Sequence, residues 1–126
     1  MNPNNKFRFV RSCSELQTSE IAESAISNHL YIEGWALIDI LTDAICGPQN
    51  FEIAAAYHEN KIIGVACLEL EEFISVFVLP EYRNQGVATR MFELLHIDET
   101  CSCFIGEPQS QRLFEKFNVD IMPLVD

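Results

Sequence analysis

Between Ser12 and Asn60 the chain has no lysine or arginine at all, against eight acids: Glu15, Glu20, Glu23, Glu33, Asp39, Asp43, Glu52 and Glu59. With a formal net charge of -11, a field of that sign repels nucleic acid and favours cationic partners such as protonated amines, or serves only as a solvated surface. Glycine and proline are sparse, five each in 126 residues, and no Ser/Gly-rich or Pro-rich linker divides the chain. One compact domain over residues 1–126 is therefore expected. Long apolar runs are missing too. The longest, Leu37 to Cys46, is broken by Asp39 and Asp43, and the N-terminus lacks a hydrophobic region followed by a small-residue cleavage site, which argues against a membrane span or export. Cys13, Cys46, Cys67, Cys101 and Cys103 contain no Cys-x-x-Cys pair, and His29, His58 and His96 are scattered. No metal site is expected. Free thiols in a reducing, cytoplasmic compartment are the simplest reading, with Cys101 and Cys103 as small apolar filler in a strand rather than a redox pair.

What the chain does have is 48% apolar residues arranged in short periodic segments. Lys6 to Arg11 alternates basic with apolar and reads as a first strand. Ser14 and Gln17 have capping-box spacing at the head of a helix running to about Leu30. Trp35, Ile38, Leu41, Thr42 and Ile45 mark a second helix, stopped by Gly47 and Pro48. Phe51 to Tyr57 and Lys61 to Leu70 read as a hairpin turning through His58, Glu59 and Asn60. Further on come a short strand over Cys101 to Ile105, a helix over Ser110 to Phe117 and a terminal strand over Val119 to Val125. Gly64, inside the second hairpin strand, marks a bulge or a close-packing site.

The densest signal lies in FISVFVLPEYRNQGVATRMFELLHID, residues 73 to 98. A run of β-branched and aromatic residues, Phe73 to Leu79, ends at Pro80, which removes a backbone donor. Val87, Met91, Leu94 and Leu95 then recur at helical spacing, so a helix starts near Gly86 and points its free N–H groups back into the turn. Such a terminus attracts phosphate, and Arg83 and Arg90 place positive charge close by in sequence. Gly86 lets the backbone approach a ligand with no Cβ in the way, and Ala88 keeps the first helical turn slim.

With Pro80, Tyr82, Arg83, Gly86 and Ala88 in this order, the stretch resembles motif A of the GNAT superfamily of N-acetyltransferases. The element order of the whole chain is also similar to that family. The resemblance implies an α+β, three-layer GNAT fold: a mixed, mostly antiparallel central sheet, helices on both faces, and a splayed strand pair for acyl-CoA. It implies acetyl-CoA as co-substrate, its pyrophosphate held by the turn Arg83, Asn84, Gln85, Gly86, Val87, Ala88 and Thr89. The pantetheine arm would lie between Ser75–Leu79 and Cys101–Ile105. By the same resemblance, backbone N–H groups of Phe77 and Val78 polarise the thioester carbonyl. Glu72 stands where some family members place a general base, with Glu69 and Glu71 as neighbours able to act through water. The acceptor would be a primary amine, on a small molecule or on a protein or peptide, attacked directly; a homodimer is left open.

One departure is clear. The family's last helix usually carries a general-acid Tyr, in a pattern similar to Leu-Tyr-Glu-Lys-Leu-Gly-Phe, and this chain reads Leu113-Phe114-Glu115-Lys116-Phe117-Asn118-Val119. Phe114 has no proton to give. An Asn that often precedes that helix is replaced by Glu107. Tyr82 is a substitute donor or a packing residue beside the phosphate turn. The alternative reading is thus a catalytically weak or inactive GNAT-fold module that binds acyl-CoA or another protein.

Overall fold

The computed structural model describes residues 6–30, 37–70, 73–95, 102–104 and 120–122. Six strands form one sheet in chain order: β1 (Phe7–Arg11), β2 (Phe51–His58), β3 (Lys61–Glu69), β4 (Phe73–Val78), β5 (Ser102–Phe104) and β6 (Asp120–Met122). The first four pair antiparallel, whereas β4 to β5 and β5 to β6 are parallel. Three α-helices, α1 (Glu15–Ser27), α2 (Leu37–Cys46) and α3 (Val87–Leu94), and two short 3-10 turns, Pro48–Asn50 and Pro80–Tyr82, complete the described elements. The mixed, mostly antiparallel sheet is as expected. The expected helix over 110–117 lies outside the described residues.

From Ile53 to Ala56 β2 reads as an apolar run because both its faces are covered. Ile53 and Ala55 join Ile21, Ala22, Ala25, Leu41 and Ala44 of α1 and α2 in one core. Ala54 and Ala56 join Val87, Met91 and Phe92 of α3 in the other. Period-two alternation in one strand thus builds two cores, and the helices fall on opposite faces of the sheet. The acids of α1 and α2, Glu15, Glu20, Glu23, Asp39 and Asp43, are all exposed on the outer surface of their layer.

Local chemistry sets the boundaries. The Ser14 hydroxyl accepts from Gln17 N–H at 3.1 Å, and the Gln17 side chain accepts from Cys13 N–H at 2.6 Å, so the cap closes one residue earlier than a standard capping box. α1 stops at Ser27, short of the expected Leu30. His29 takes a left-handed φ of 58°, its N–H and that of Leu30 bond back to the carbonyls of Ile26 and Ala25, and Leu30 is tucked into the core. The hairpin turns on two left-handed residues, Glu59 and Asn60.

Gly64 serves both roles foreseen for it. Pairing skips from Ala56–Gly64 to Tyr57–Ile62, leaving Ile63 as the extra residue of a bulge. A Cβ on Gly64 would meet the Met91 methyl at 3.2 Å and the Phe77 carbonyl and a Val78 methyl at 3.4 Å. Gly64→Val is expected to destabilise the protein by about 1–3 kcal/mol through overpacking under α3, measured by chemical denaturation.

Cys67 is fully buried, and burial, with the Glu69 carboxylate adding to it, pushes its thiol up to about 12. Near neutral pH the thiol there stays protonated and unreactive. Mass-mapped alkylation of native protein should therefore modify exposed Cys13 and Cys46 and spare Cys67 until denaturant is added. The sign for stability follows: a thiol raised on folding favours the native state below its ordinary value of 9.0, and that contribution is lost as pH climbs towards 12.

Candidate functional site

β4 ends at Val78, Pro80 starts a short 3-10 turn over Pro80–Tyr82, and the chain reverses through Arg83–Gly86 into α3. Two residues of that reversal are left-handed, Asn84 with φ 64° and Gly86 with φ 80°. Asparagine and glycine are the residues that tolerate this geometry, so the Arg-Asn-Gln-Gly sequence fits the turn it makes. Gly86 is the N-cap of α3, and no side chain caps the helix. The first helical hydrogen bond runs from Arg90 N–H to the Gly86 carbonyl at 3.1 Å. The N–H groups of Val87, Ala88 and Thr89 therefore precede the helical ladder and project from its positive end.

The turn is open where a ligand would need it to be. Asn84, Gln85 and Gly86 are exposed, and an ideal Cβ on Gly86 would meet nothing within 4 Å. Val87 contributes its backbone only, since its side chain is 2% exposed in the α3 core. Arg83 folds back on β4: its Nε donates to the Val78 carbonyl at 2.9 Å, and its guanidinium lies 5.5 Å from the centre of the Phe77 ring. Arg90 turns elsewhere. It lies over Phe9 of β1 and approaches Glu93 at 3.5 Å, so the positive charge expected from it at the turn is spent on α3's outer side.

The free edge of β4 is fixed by parity. Leu79 N–H bonds to the Ile63 carbonyl at 2.9 Å, and the register pairs Val65 with Phe77 and Cys67 with Ser75. Those odd-numbered residues turn their backbone groups towards β3, and Ile74, Val76 and Val78 turn theirs towards β5. Yet β4 and β5 share one register position among the described residues, Phe73 with Ser102. Beyond it the amides of Val76 and Val78 turn away from β3, on the β5 side of the strand. Phe77 is thereby corrected as a donor to a ligand carbonyl: its N–H faces Val65, and its side chain is buried among α1 and α2. Val78 turns its N–H away from β3, and so does Val76, a residue the sequence reading did not single out. The signal that finds it is strand parity, which requires the register with β3.

Tyr82 packs against Phe7 and His58, with its hydroxyl 3.3 Å from His58 Nδ1. The packing alternative foreseen for it is the one the contacts favour. Glu69, at the end of β3 opposite Phe73, is half-buried on the α1 and α2 side beside Cys67. Glu71, Glu72, Cys101, Ile105, Glu107 and Phe114 lie outside the described residues. Among the described residues no group of three or more His, Cys, Asp or Glu side chains could hold a metal ion, and no helix is long and apolar enough to cross a membrane.

A model of the acetyltransferase (GNAT) domain family matches residues 49–118, more than half of the chain. The chain belongs to the GNAT family. Solved structures agree on the fold. The aminoglycoside N-acetyltransferase AAC(6')-Iy, solved with CoA, is 14% identical with a TM-score of 0.58, covering 95% of this chain and 91% of that one. The aminoglycoside acetyltransferase meta-AAC0020 from an uncultured soil metagenomic sample, solved with sisomicin, is 16% identical with a TM-score of 0.52, covering 99% and 81%. An integron cassette protein from the mobile metagenome of V. cholerae is 12% identical with a TM-score of 0.52, covering 93% and 87%. No curated protein sequence matches. Within this GNAT chain, the family match spans the hairpin, β4, the turn and α3.

Proposed function

We propose that this GNAT chain is an acetyl-CoA-dependent N-acetyltransferase that transfers an acetyl group to a primary amine by direct attack. The observation that carries the proposal is two sets of backbone donors joined by one turn: those of Val76 and Val78, which face away from β3, and those of Val87, Ala88 and Thr89, which precede the helical ladder of α3. The two sets suit the two ends of the co-substrate. An uncapped helix terminus with a Cβ-free glycine fits a pyrophosphate. Strand donors turned away from their antiparallel neighbour fit an amide-bearing arm laid down as an added strand. Acetyl-CoA supplies an activated thioester.

The residues then have separate tasks. The turn Arg83–Thr89 anchors the phosphates and so fixes how far the thioester reaches along β4. Val76 and Val78 N–H groups polarise its carbonyl as charge develops on the oxygen, the kind of preorganised donor worth about 10²–10³ in rate. An amine with a pKa near ~10.4 must lose a proton before it attacks. Glu72, next before β4 in sequence, is the proposed base, with Glu69 or Glu71 able to act through water. Some structural neighbours are aminoglycoside acetyltransferases, and the exposed acids of α1 and α2 favour a cationic acceptor, so a small polyamine or amino sugar is preferred over a peptide.

The test is thiol release from acetyl-CoA with polyamines, amino sugars and lysine peptides as acceptors. Saturable turnover with one class is expected. Tight cofactor binding without turnover on any of them would overturn the enzyme reading in favour of an acyl-CoA-binding module, which Phe114 at the family's general-acid position already supports.

A further inference from the structure

The segment that leads into α3 is shaped from within and tied from outside. Tyr82 N–H bonds to the Leu79 carbonyl at 2.9 Å, Arg83 N–H to the Pro80 carbonyl at 3.3 Å, and the Gln85 side chain to the Glu81 carbonyl at 3.4 Å. These three bonds are local, so they set the shape of the segment without fixing where it stands. Tyr82 reaches further. Its hydroxyl lies 3.3 Å from Nδ1 of His58, 24 residues away, in a hydrogen bond that closes with the proton on either atom.

His58 is itself held from both sides. As the last residue of β2 it pairs with Phe7 of β1 and with Lys61 of β3, and the left-handed residues Glu59 and Asn60 close the hairpin directly after it. By parity it continues the face of Ala54 and Ala56, which pack under α3, and its ring emerges beside Phe7 and Tyr82. The three rings meet pairwise. Their centroids are 5.9 Å apart for Phe7 and His58, 6.0 Å for Phe7 and Tyr82, and 5.4 Å for His58 and Tyr82. Ring packing asks for no polar atom at either position, whereas the hydrogen bond gives the packing a direction.

We propose that His58 is a positioning residue for the turn Arg83–Gly86: through the Tyr82 hydroxyl it ties that turn to the β2–β3 hairpin and so holds the N–H groups at the head of α3 in place for phosphate. The identity of the ligand rests on the acyl-CoA reading of the site; the tie itself does not. Its contribution is preorganisation. A turn already held in its binding geometry has less order to gain when an anion arrives, and affinity rises by the difference. Neither side chain has to meet the thioester, so the effect falls on cofactor affinity and leaves the chemical step alone.

The experiment is a double-mutant cycle in His58→Phe and Tyr82→Phe, which keep the rings and remove the polar atoms, read by calorimetry with CoA. Each single variant is expected to bind CoA about fivefold more weakly, the effect of one neutral hydrogen bond, and the double variant about fivefold as well, since the second change finds the bond already gone. In the free variants the order parameters of the Asn84, Gln85 and Gly86 amides should fall from about 0.85 towards about 0.6. CoA affinity within about twofold of wild type in both single variants overturns the proposal, as do additive losses of about 25-fold in the double variant or a turn equally ordered in all four proteins. A loss confined to kcat also overturns it, by marking Tyr82 as a proton donor instead. Should the variants not fold, wild type still decides: coupling is reciprocal, so saturating CoA has to shift the His58 Nδ1 resonance, and an unmoved resonance contradicts the tie. Failure of wild type to bind CoA at all would sink the acyl-CoA reading, and the order parameters of the free variants would still test whether His58 holds the turn.

Discussion

A Gly86→Glu protein is expected to fold and to bind no measurable acetyl-CoA, a loss of more than about a hundredfold. Two effects separate cleanly at this position. Gly86 has φ 80° and ψ 8°, so any L side chain there is strained, by about 1–2 kcal/mol. Nothing lies within 4 Å of a new Cβ, however, so the substitution creates no clash and the strain is the main folding cost. Binding suffers far more. The carboxylate would stand at the N-cap of α3, where its negative charge takes the place intended for phosphate and repels it. Gly86→Ala carries the same strain without the charge and should bind acetyl-CoA with only a modest loss. Calorimetry on both variants, with thermal melts beside it, checks the prediction. Equal affinity in wild type and Gly86→Glu would remove the turn from the account.

Phe114→Tyr is expected to raise kcat by about 10²-fold with little change in acetyl-CoA affinity. Transfer leaves a thiolate that needs a proton, and the family's usual donor is a Tyr where this chain has Phe114. A thiol with a pKa near ~8.5 departs tolerably as an anion, so the gain should fall at the low end of general-acid effects. Pre-steady-state acetyl transfer to the best amine of the acceptor panel measures it, with kcat rather than KM carrying the change. A Tyr variant no faster than wild type would mean that proton delivery does not limit this chain. Such a result would leave thiolate departure without need of a Tyr at position 114, and a Tyr82→Phe protein, which loses the hydroxyl 3.3 Å from His58 Nδ1, would then show whether Tyr82 supplies the proton.

The fold was legible because its punctuation is local. Ser14 and Gln17 cap α1, Gly47 and Pro48 end α2, and Asn60 helps turn the hairpin; each acts through its own backbone geometry, without tertiary help. The turn ahead of α3 was legible for the same reason, since Gly86 and the onset of helical periodicity at Val87 sit side by side. Where α1 ended was not, because Leu30 continues the apolar pattern while His29 breaks the helix to send it into the core. The orientation of β4 was half legible. Residue type says that Val76, Phe77 and Val78 share a strand; only the pairing of Leu79 with Ile63 says which of them turn away from β3. Arg90 shows a different limit. Its place in sequence puts it near the turn, and a helical rotation carries it to Phe9 and Glu93.

The central claim, that one opening runs from the edge of β4 to the head of α3 and takes acetyl-CoA, is tested most directly by titrating acetyl-CoA into isotopically labelled wild-type protein and following backbone amides. The account predicts saturable shifts, largest at Val76, Val78 and Gly86 to Thr89, with Phe77, held against β3, moving less than its two neighbours. No saturable change at those amides at millimolar acetyl-CoA, or a set of shifts centred on another face of the sheet, would contradict it.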